Sequence, residues 1–315
     1  MKKVVQTKAH INIALVKYWG KMDHYYNLAN QPSLSYTINE YYTICNASIS
    51  DKDILLIDSK QVDNVEQTKI SNWLDKIRKM YNINSYIKFD NYNYVPFKAG
   101  LASSASAYAA MSLAINELFN LNLSKQEISI MARMGSGSAL RSVYGGFVSW
   151  EYSDKNNLQY AKKLPIDWED FKMFACVIEN KSKKISSRDA MNQSVKIKQY
   201  KNFVKQSFID YNLMQQYLLK KDIWQVGLLA EKNANQLHEI INLTNINYFT
   251  KETEEIIKLV QKIRKLKNIP IFYTIDAGPN VKLISLKEHE KLILEAFKKY
   301  NIISLTQGGD AHVID

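Results

Sequence analysis

The amino-acid sequence predicts a mixed fold of α-helices and β-strands with a helix-rich second half. Three observations support this prediction. Short β-rich stretches alternate with longer segments of helical periodicity. The composition, 46% hydrophobic and 23% charged, is that of a globular protein. The 10 glycines and 5 prolines are concentrated at a few points, so no linker or repeat divides the 315 residues.

The first half contains one predicted strand and three predicted helices. Residues 42–49 are β-rich. Apolar residues at intervals of four, three and four predict a helix, and these are Ile70, Leu74, Ile77 and Tyr81. An alanine- and leucine-rich helix is expected to follow a serine-rich turn and to extend through Phe119. Ser124 with Glu127 forms a capping box that predicts another helix start.

The second half combines helices with three further strands. Strands are predicted at 172–178, 271–275 and 281–286, and a stripe at Ile256, Val260 and Ile263 predicts a helix. A long polar-interleaved helical region over 189–219 suggests a second unit of packed helices. We therefore expect two domains, 1–180 and 181–315.

Composition excludes several classes of protein. Cys45 and Cys176 are the two cysteines, far apart and in no metal-binding spacing, which argues against a disulfide framework or a zinc finger. Polar residues interrupt the N-terminal apolar stretch, so no signal peptide is expected. The sequence also lacks an apolar run of the roughly 18 residues that a membrane span requires. We expect a cytoplasmic protein that does not bind membranes.

The net charge of +11 favours anionic partners. Nucleic acid, an anionic membrane surface and a small polyphosphate substrate all fit that sign. Because the 42 basic residues are dispersed and match no nucleic-acid module, nucleic acid is not expected as a partner. The alternative is that the positive charge reflects a lysine-rich composition and has no role in binding.

A turn of small and hydroxyl-bearing residues over 96–108 is the first candidate binding segment. Unpaired backbone N–H groups and the positive dipole end of a helix start hold phosphate oxygens well. The hydroxyls of Ser103, Ser104 and Ser106 add donors. No Gly-Lys-Ser/Thr follows, so this is not a Walker loop. A tightly packed, capped helix without a ligand is the alternative.

A second glycine-rich segment, 135–147, adds a fixed positive charge. The guanidinium of Arg141 matches a phosphate with two parallel hydrogen bonds, and Ser136, Gly137 and Ser138 supply hydroxyls and amides beside it. We expect an anion site here, in preference to a turn with Arg141 in solvent.

Three other segments carry reactive side chains. Asn12 precedes Lys17-Tyr18-Trp19-Gly20-Lys21, in which two ammonium groups surround a glycine that allows close backbone approach. Residues 181–189 are basic and rich in hydroxyls, although such a run is usually a solvated face. Asp276 ends a predicted buried strand at a Gly-Pro turn, where it is placed for general-base work, cation binding or capping of the turn.

Together these segments resemble the mevalonate diphosphate decarboxylases of the GHMP kinase superfamily. The resemblance runs in order along nearly the whole chain. It rests on Asn12, KYWGK at 17–21, SLS at 33–35 with Thr37, GLASSASAYAA at 100–110, GSGSALRS at 135–142, GGF at 145–147 with Trp150, SSR at 186–188 and DAGPN at 276–280. Related kinases usually read GLGSS where this chain has GLASSAS, and they lack KYWGK and DAGPN.

The resemblance implies a two-lobed α+β fold with a deep central cleft. The N-terminal lobe would be GHMP-kinase-like, of the ribosomal protein S5 domain 2 type, and the C-terminal lobe α/β. It implies ATP and Mg²⁺ at the serine-rich loop and 5-diphosphomevalonate opposite. The implied reaction phosphorylates the 3-hydroxyl, then releases phosphate and CO₂ to give isopentenyl diphosphate. The family's tendency towards homodimers implies a dimer.

The resemblance also assigns roles to residues. Asp276 matches the catalytic aspartate that orients or deprotonates the 3-hydroxyl, and Lys17 is placed to hydrogen-bond it and lower its pKa. The matching substrate-binding positions are Asn12, Tyr18, Trp19, Gly20, Lys21, Ser136, Gly137, Ser138, Ala139, Leu140, Arg141, Ser187 and Arg188. The matching ATP-binding positions are Lys98, Gly100, Leu101, Ala102, Ser103, Ser104 and Ser106. The Mg²⁺ ligands are not assigned.

Some positions depart from the family pattern, and two rival functions follow. Phe97-Lys98 replaces a small Thr-Ala pair, and Met22 stands where a basic residue usually follows KYWGK. The first rival is a mevalonate 3-kinase or a mevalonate 5-phosphate decarboxylase of the same fold. The second is a basic nucleic-acid-binding protein without ATP turnover.

Overall fold

A computed structural model describes residues 4–94, 103–152, 158–178 and 185–314. The strands are β1 Val4–Val16, β2 Lys21–Asp23, β3 Leu28–Ala29, β4 Ser33–Ser50, β5 Ile54–Ile57, β6 Lys60–Gln61, β7 Tyr86–Tyr94, β8 Phe147–Tyr152, β9 Gln159–Lys163, β10 Phe171–Cys176, β11 Phe272–Ile275, β12 Val281–Leu286, β13 Ile302–Leu305 and β14 His312–Val313. The α-helices are α1 Asn64–Tyr81, α2 Ser103–Leu118, α3 Lys125–Gly135, α4 Ser187–Ser194, α5 Tyr200–Leu219, α6 Ile223–Asn242, α7 Lys251–Lys267 and α8 Glu290–Ala296. Short 3₁₀ helices cover Gly137–Val143, Lys287–His289 and Lys298–Tyr300.

The first lobe is built on an eight-stranded sheet. The long antiparallel pair β1 and β4 forms its centre, with the order β14-β1-β4-β7-β5-β6, and β8 and β9 continue from β4. Only β5 and β7 pair in parallel within the described sheet. Helix α2 packs on β1 and β4. Six of its nine alanines and serines are buried, so small side chains occur where the helix packs against the sheet.

The second lobe is built on a four-stranded antiparallel sheet of order β11-β12-β10-β13. Helix α6 packs between this sheet and β1, and α7 covers β11 and β12. A core of apolar residues joins the lobes, including Ile13 and Leu15 of β1, Val226 of α6 and Phe272 of β11. The ends of β1 and β11 are thereby fixed against each other, and the candidate site lies there.

Most predicted elements are present with small shifts of their bounds. Helix α1 contains the predicted stripe, and the Ser124–Glu127 capping box is confirmed at the start of α3. The predicted helical region over 189–219 is two helices, α4 and α5. The expected boundary at residue 180 lies outside the described residues. Along the chain, the change from the first sheet to the second occurs between β9 and β10. Strand β14, near the end of the chain, pairs with β1 in the first sheet.

Candidate active site

A cavity of about 300 Å³ opens where the two lobes meet. Strand β1, the turn after it, the first turn of α2, the 3₁₀ helix at Gly137–Val143, helix α4 and the end of β11 all contribute to it. It is lined by Ile11, Asn12, Ala14, Lys17, Tyr18, Trp19, Lys21, Ser104, Ala105, Ser136, Gly137, Ser138, Arg141, Ser187, Arg188, Met191, Leu237, Asp276 and Ala277. Segments far apart in the sequence therefore form one site.

Positively charged side chains predominate in the cavity lining. Four cations, Lys17, Lys21, Arg141 and Arg188, line the cavity, and Asp276 is the only acidic residue among the described lining residues. A cleft lined by one sign of charge concentrates ligands of the opposite sign. The cavity is therefore suited to an anion with several charges.

The carboxylate of Asp276 is held by two ammonium groups. Nζ of Lys17 donates to Oδ1 at 2.8 Å and Nζ of Lys282 donates to Oδ2 at 3.1 Å. Asp276 keeps 37% of its side chain exposed, whereas both lysine side chains are 2% exposed. Burial alone would raise the pKa of Asp276, but the two cations outweigh burial and hold its pKa well below the usual range.

This low pKa limits what Asp276 can do. A general base works best when its pKa lies near the working pH, and Asp276 is far below that. The carboxylate therefore stays ionised and binds protons weakly. It is suited to accept a hydrogen bond from a ligand hydroxyl and to orient it.

Buried polar side chains support Lys17 and Asp276 from behind. The backbone N–H of Lys17 donates to Oδ1 of Asn233 at 2.8 Å, and Nδ2 of Asn233 donates to the fully buried Asp210 at 2.9 Å. Nε2 of His238 lies 3.2 Å from the backbone carbonyl of Asp276. Burial lowers the pKa of His238 to about 4, so this ring is neutral and donates through Nε2.

The 3₁₀ helix presents Arg141 to the cavity. Its Nε donates to Ser35 at 3.0 Å and to Asn12 at 3.2 Å, and its Nη1 donates to Ser33. Arg141 is 2% exposed, and no carboxylate in the described part of the chain forms an ion pair with it. Burial lowers its pKa to about 10, so the guanidinium remains charged at neutral pH. A buried cation with neutral partners is suited to an anionic ligand.

Two aromatic side chains bring unpartnered donors to the same cavity. The hydroxyl of Tyr18 and Nε1 of Trp19 are buried and have no hydrogen-bond partner among the described residues. The Tyr18 ring packs on Trp150, with ring centroids 4.7 Å apart. Because buried polar groups are almost always hydrogen-bonded, these donors are suited to partners on a ligand.

Gly137 allows the close approach of Tyr18. A Cβ at position 137 would lie 2.6 Å from the Tyr18 hydroxyl and 2.8 Å from its ring. We expect Gly137→Ala to displace the ring, to raise the KM of an anionic substrate, and to lower stability by about 1–3 kcal/mol. Thermal unfolding and steady-state kinetics test this. In the control Gly309→Ala, the new Cβ meets no atom within 4 Å, so a comparable loss there would contradict the steric explanation.

The other predicted site residues have varied positions. Gly20 has φ +95°, and a Cβ there would collide with Tyr200, so it shapes the turn beside the cavity. Ala139 and Leu140 belong to the 3₁₀ helix itself and are fully buried. Ser103 begins α2, and the buried Ser106 hydroxyl lies 3.0 Å from its carbonyl and 2.7 Å from Thr43 Oγ1. Lys98, Gly100, Leu101, Ala102 and 181–184 lie outside the described residues.

Sequence reasoning missed several residues of the site. Lys282, His238 and Asn233 support the Lys17–Asp276 pair, and the apolar side chains Met191 and Leu237 line the cavity. The available signal was Lys282 itself, the one charged residue of the mostly apolar strand VKLISL. His238 and Asn233 carried no sequence signal, because they lie on a long helix with many polar residues.

No helix in the described ranges is both long and apolar enough to span a bilayer. No group of three or more His, Cys, Asp or Glu side chains in those ranges is arranged to hold a metal ion.

Known proteins share both the sequence and the fold. Residues 9–161 match the model of the diphosphomevalonate decarboxylase-like N-terminal domain, and residues 173–311 match the mevalonate 5-diphosphate decarboxylase C-terminal domain. The diphosphomevalonate decarboxylase of Debaryomyces hansenii is 31% identical over 321 residues, covering 93% of this chain and 82% of the relative.

Solved structures agree over the whole length. Mevalonate diphosphate decarboxylase from Staphylococcus aureus is 33% identical with a TM-score of 0.93, covering 100% of this chain and 99% of its own. MDDEF, solved in complex with MVAPP, AMPPCP and magnesium, is 30% identical with a TM-score of 0.92, covering 100% of both chains. The predicted two-lobed fold is confirmed, and the chain belongs to the diphosphomevalonate decarboxylase family.

Proposed function

We propose that this protein catalyses the ATP-dependent decarboxylation of 5-diphosphomevalonate to isopentenyl diphosphate, with release of ADP, phosphate and CO₂. The observation that carries the proposal is the cavity lined by four cations around one ionised carboxylate, Asp276. Membership of the decarboxylase family and the binding of MVAPP and AMPPCP by the related MDDEF support it.

The cations and free donors of the cavity are suited to the substrate's two anionic ends. We assign the diphosphate and carboxylate to Tyr18, Lys21, Arg141 and Arg188 together with the hydroxyls and amides of Ser136, Gly137, Ser138 and Ser187. Asn12 fixes Arg141, since its Oδ1 accepts from the guanidinium while its Nδ2 donates to Ser142 at 2.8 Å. Charge-assisted hydrogen bonds of this kind fix orientation as well as affinity.

ATP would lie at the start of α2. Ser104 and Ala105 line the cavity there, and Ser104 Oγ lies 3.4 Å from Ser136 Oγ, which places the helix start beside the anion site. The unpaired N–H groups of that first turn suit a phosphate chain. Mg²⁺ commonly takes one or two protein carboxylates together with substrate phosphates, so it fits a site without an acidic cluster and would neutralise phosphate charge when bound.

Asp276 orients the 3-hydroxyl for phosphoryl transfer. Its oxygens are fixed by Lys17 and Lys282, and its remaining lone pairs accept the substrate hydroxyl. Phosphoryl transfer depends mainly on positioning and on electrostatic stabilisation, which suits an acceptor that stays ionised. As the hydroxyl oxygen bonds to the γ-phosphorus, the phosphorus–oxygen bond to ADP breaks and the hydroxyl proton passes to an oxygen of the transferred phosphoryl group. Lys17, which holds Asp276, is placed to neutralise the charge of that group.

The second step expels phosphate and CO₂. The C3–O bond breaks and its electron pair leaves with phosphate; the C1–C2 pair becomes the C2=C3 double bond, and C1 leaves as CO₂. Lys17 supplies positive charge for the leaving phosphate, in a buried setting where such contacts are strong. Ile11, Ala14 and Ala277 give the cavity apolar walls that suit a neutral CO₂.

The pKa of Lys21 predicts a pH dependence of substrate binding. Burial, with Arg188 and Lys76 nearby, lowers this pKa to about 8. The ammonium form that binds a diphosphate dominates below pH 8, so KM for the diphosphate substrate should rise as pH passes above about 8. Steady-state kinetics from pH 7 to 9.5 measure this. Lys21→Arg, which stays charged, should remove the rise, and an unchanged profile would contradict the role of Lys21.

A substrate series tests the proposal. ADP release is measured with MgATP and mevalonate, its 5-phosphate or its 5-diphosphate. We expect kcat/KM to be highest for the diphosphate by a wide margin. A preference for the monophosphate or for mevalonate would overturn the choice of substrate and favour the related decarboxylase or 3-kinase. Salt-dependent binding of nucleic acid without ATP turnover would favour a binding protein.

We also propose a cytoplasmic location and assembly as a homodimer. Cys45 and Cys176 are both free and buried, which suits a reducing compartment. Partly exposed apolar side chains on α6, Trp224 and Leu228, offer surface for a second copy. Analytical ultracentrifugation tests the dimer, and localisation of a tagged chain tests the compartment.

A further inference from the structure

Lys282 is a buried cation that the proposed reaction does not by itself require. It is the second residue of β12, is 2% exposed, and does not line the cavity. Its Nζ donates to Asp276 Oδ2 at 3.1 Å and lies 3.4 Å from the carbonyl oxygen of Asn280. Its charged partner is the same carboxylate that Lys17 already neutralises.

The groups around Asp276 carry a surplus of positive charge. Lys17 approaches from the position after β1, Lys282 from β12 and Arg141 from the 3₁₀ helix, while His238 of α6 is neutral. Asp276 is the only anion facing them in the described part of the chain. Burying a cation without its own counter-ion costs free energy, so stability alone does not explain Lys282.

The two lysines hold different oxygens of Asp276. Lys17 engages Oδ1 and Lys282 engages Oδ2, so the plane of the carboxylate is fixed from both sides. His238 fixes the backbone carbonyl of the same residue at 3.2 Å. With one lysine alone, the carboxylate group would be free to rotate about its Cβ–Cγ bond. Lys282 therefore supplies the second constraint on its direction.

We propose that Lys282 is a positioning residue that fixes the direction of the Asp276 carboxylate. This inference rests on the proposed function and adds a residue to it. Lys282 acts through Asp276 and does not itself contact the substrate. Its removal should therefore affect turnover more than binding.

The test is a double-mutant cycle of Lys282→Met and Asp276→Asn. Methionine keeps the length and removes the charge. We expect Lys282→Met to lower kcat about ten- to a hundredfold, by analogy with the loss of side chains that orient metal ligands, with KM for ATP unchanged. In the Asp276→Asn background its effect should nearly vanish, because the group that it positions is gone. Lys282→Arg should retain most of the activity.

The unfolding temperature of Lys282→Met distinguishes a positioning role of Lys282 from a purely structural one. Because Asp276 keeps Lys17 as a partner, Lys282→Met should unfold at the same temperature as the wild type or higher. Lys172→Met is the matched control, since Lys172 is 9% exposed in β10 of the same sheet and lies 3.5 Å from Glu290, away from the cavity. That variant should keep wild-type kcat.

Each remaining outcome overturns a specific claim. Wild-type kcat in Lys282→Met, an undiminished effect in the Asp276→Asn background, or a marked drop in the unfolding temperature would overturn the positioning role. Failure of Lys282→Met to fold would overturn it too, because unchanged stability is expected. Absence of turnover in the wild-type enzyme with the diphosphate substrate would instead overturn the proposed function, and it is measured first.

Discussion

Replacing Asp276 by asparagine is expected to lower kcat about 10³-fold while KM for both substrates changes only a few-fold. The substitution keeps the volume of the side chain and removes its negative charge. The amide can still accept a hydrogen bond from the substrate, but it no longer balances Lys17 and Lys282. The loss should therefore fall on the transition state rather than on binding.

The same substitution should also reduce stability. Lys17 and Lys282 are both 2% exposed, and without Asp276 they become buried cations with no counter-ion. The ionised Asp276 carboxylate stabilises the folded protein by its ion pairs with the two lysines. This contribution is lost only when pH falls through the pKa of Asp276 in the folded state, which lies far below neutral. At neutral pH the wild type has the whole of this contribution, so the variant should unfold several degrees lower.

Asp310→Asn is a matched control for Asp276→Asn. Asp310 also receives two lysines, Lys125 and Lys163, and its side chain is 27% exposed, but it does not line the cavity. We expect the Asp310 variant to lose stability and to keep kcat. A kcat within tenfold of wild type in Asp276→Asn, measured on folded enzyme, would contradict the role given to this carboxylate.

Replacing Arg141 by lysine is expected to lower kcat/KM for the diphosphate substrate about a hundredfold. Nε and Nη1 of Arg141 are used by Asn12, Ser35 and Ser33, while Nη2 makes no hydrogen bond with the described residues. A guanidinium can hold those protein partners and a ligand at once. A lysine has one nitrogen and cannot do both, so the charge alone does not restore binding.

Arg133→Lys provides the comparison for this second prediction. Arg133 is also buried, at 4% exposure, but it donates to the backbone carbonyls of Tyr26 and Gln159 and does not line the cavity. That variant should be less stable with little change in kcat/KM. Equal kinetic losses in the two variants would indicate that Arg141 acts through folding rather than through the substrate.

The sequence predicted those parts of the site in which neighbouring residues carry the chemistry. The segments around Lys17, Arg141 and Asp276 were identified because small residues and charges lie close together there. Their resemblance to a family then related the segments to one another. The contact between Lys17 and Asp276, expected from that resemblance, is present in the structure although 259 positions separate the two residues.

The missed residues depend on folding over long separations. Asn233 meets Lys17 across 216 positions, and its amide is oriented by the buried Asp210, which no local pattern indicates. Lys282 interrupts a buried strand, but its partner is set by how β11 and β12 pair, with Thr274 opposite Lys282. Such contacts follow from tertiary packing and not from spacing along the chain.

A local pattern also could not distinguish which hydroxyls face the cavity. Ser104 and Ser106 are two positions apart at the start of α2, and they point in different directions on the helix. Ser104 lines the cavity, whereas the Ser106 hydroxyl contacts Thr43 and the carbonyl of Ser103 inside the lobe. Ser106 is therefore placed to support the helix start, and its binding of ATP stays a prediction.

The ratio of CO₂ to ADP released with the diphosphate substrate tests the central claim most directly. Phosphorylation followed by loss of phosphate and CO₂ predicts one CO₂ and one phosphate for each ADP, with isopentenyl diphosphate as the organic product. ADP release with neither CO₂ nor free phosphate would show that the 3-phosphate forms and persists. That result would contradict a decarboxylase and identify the enzyme as a 3-kinase.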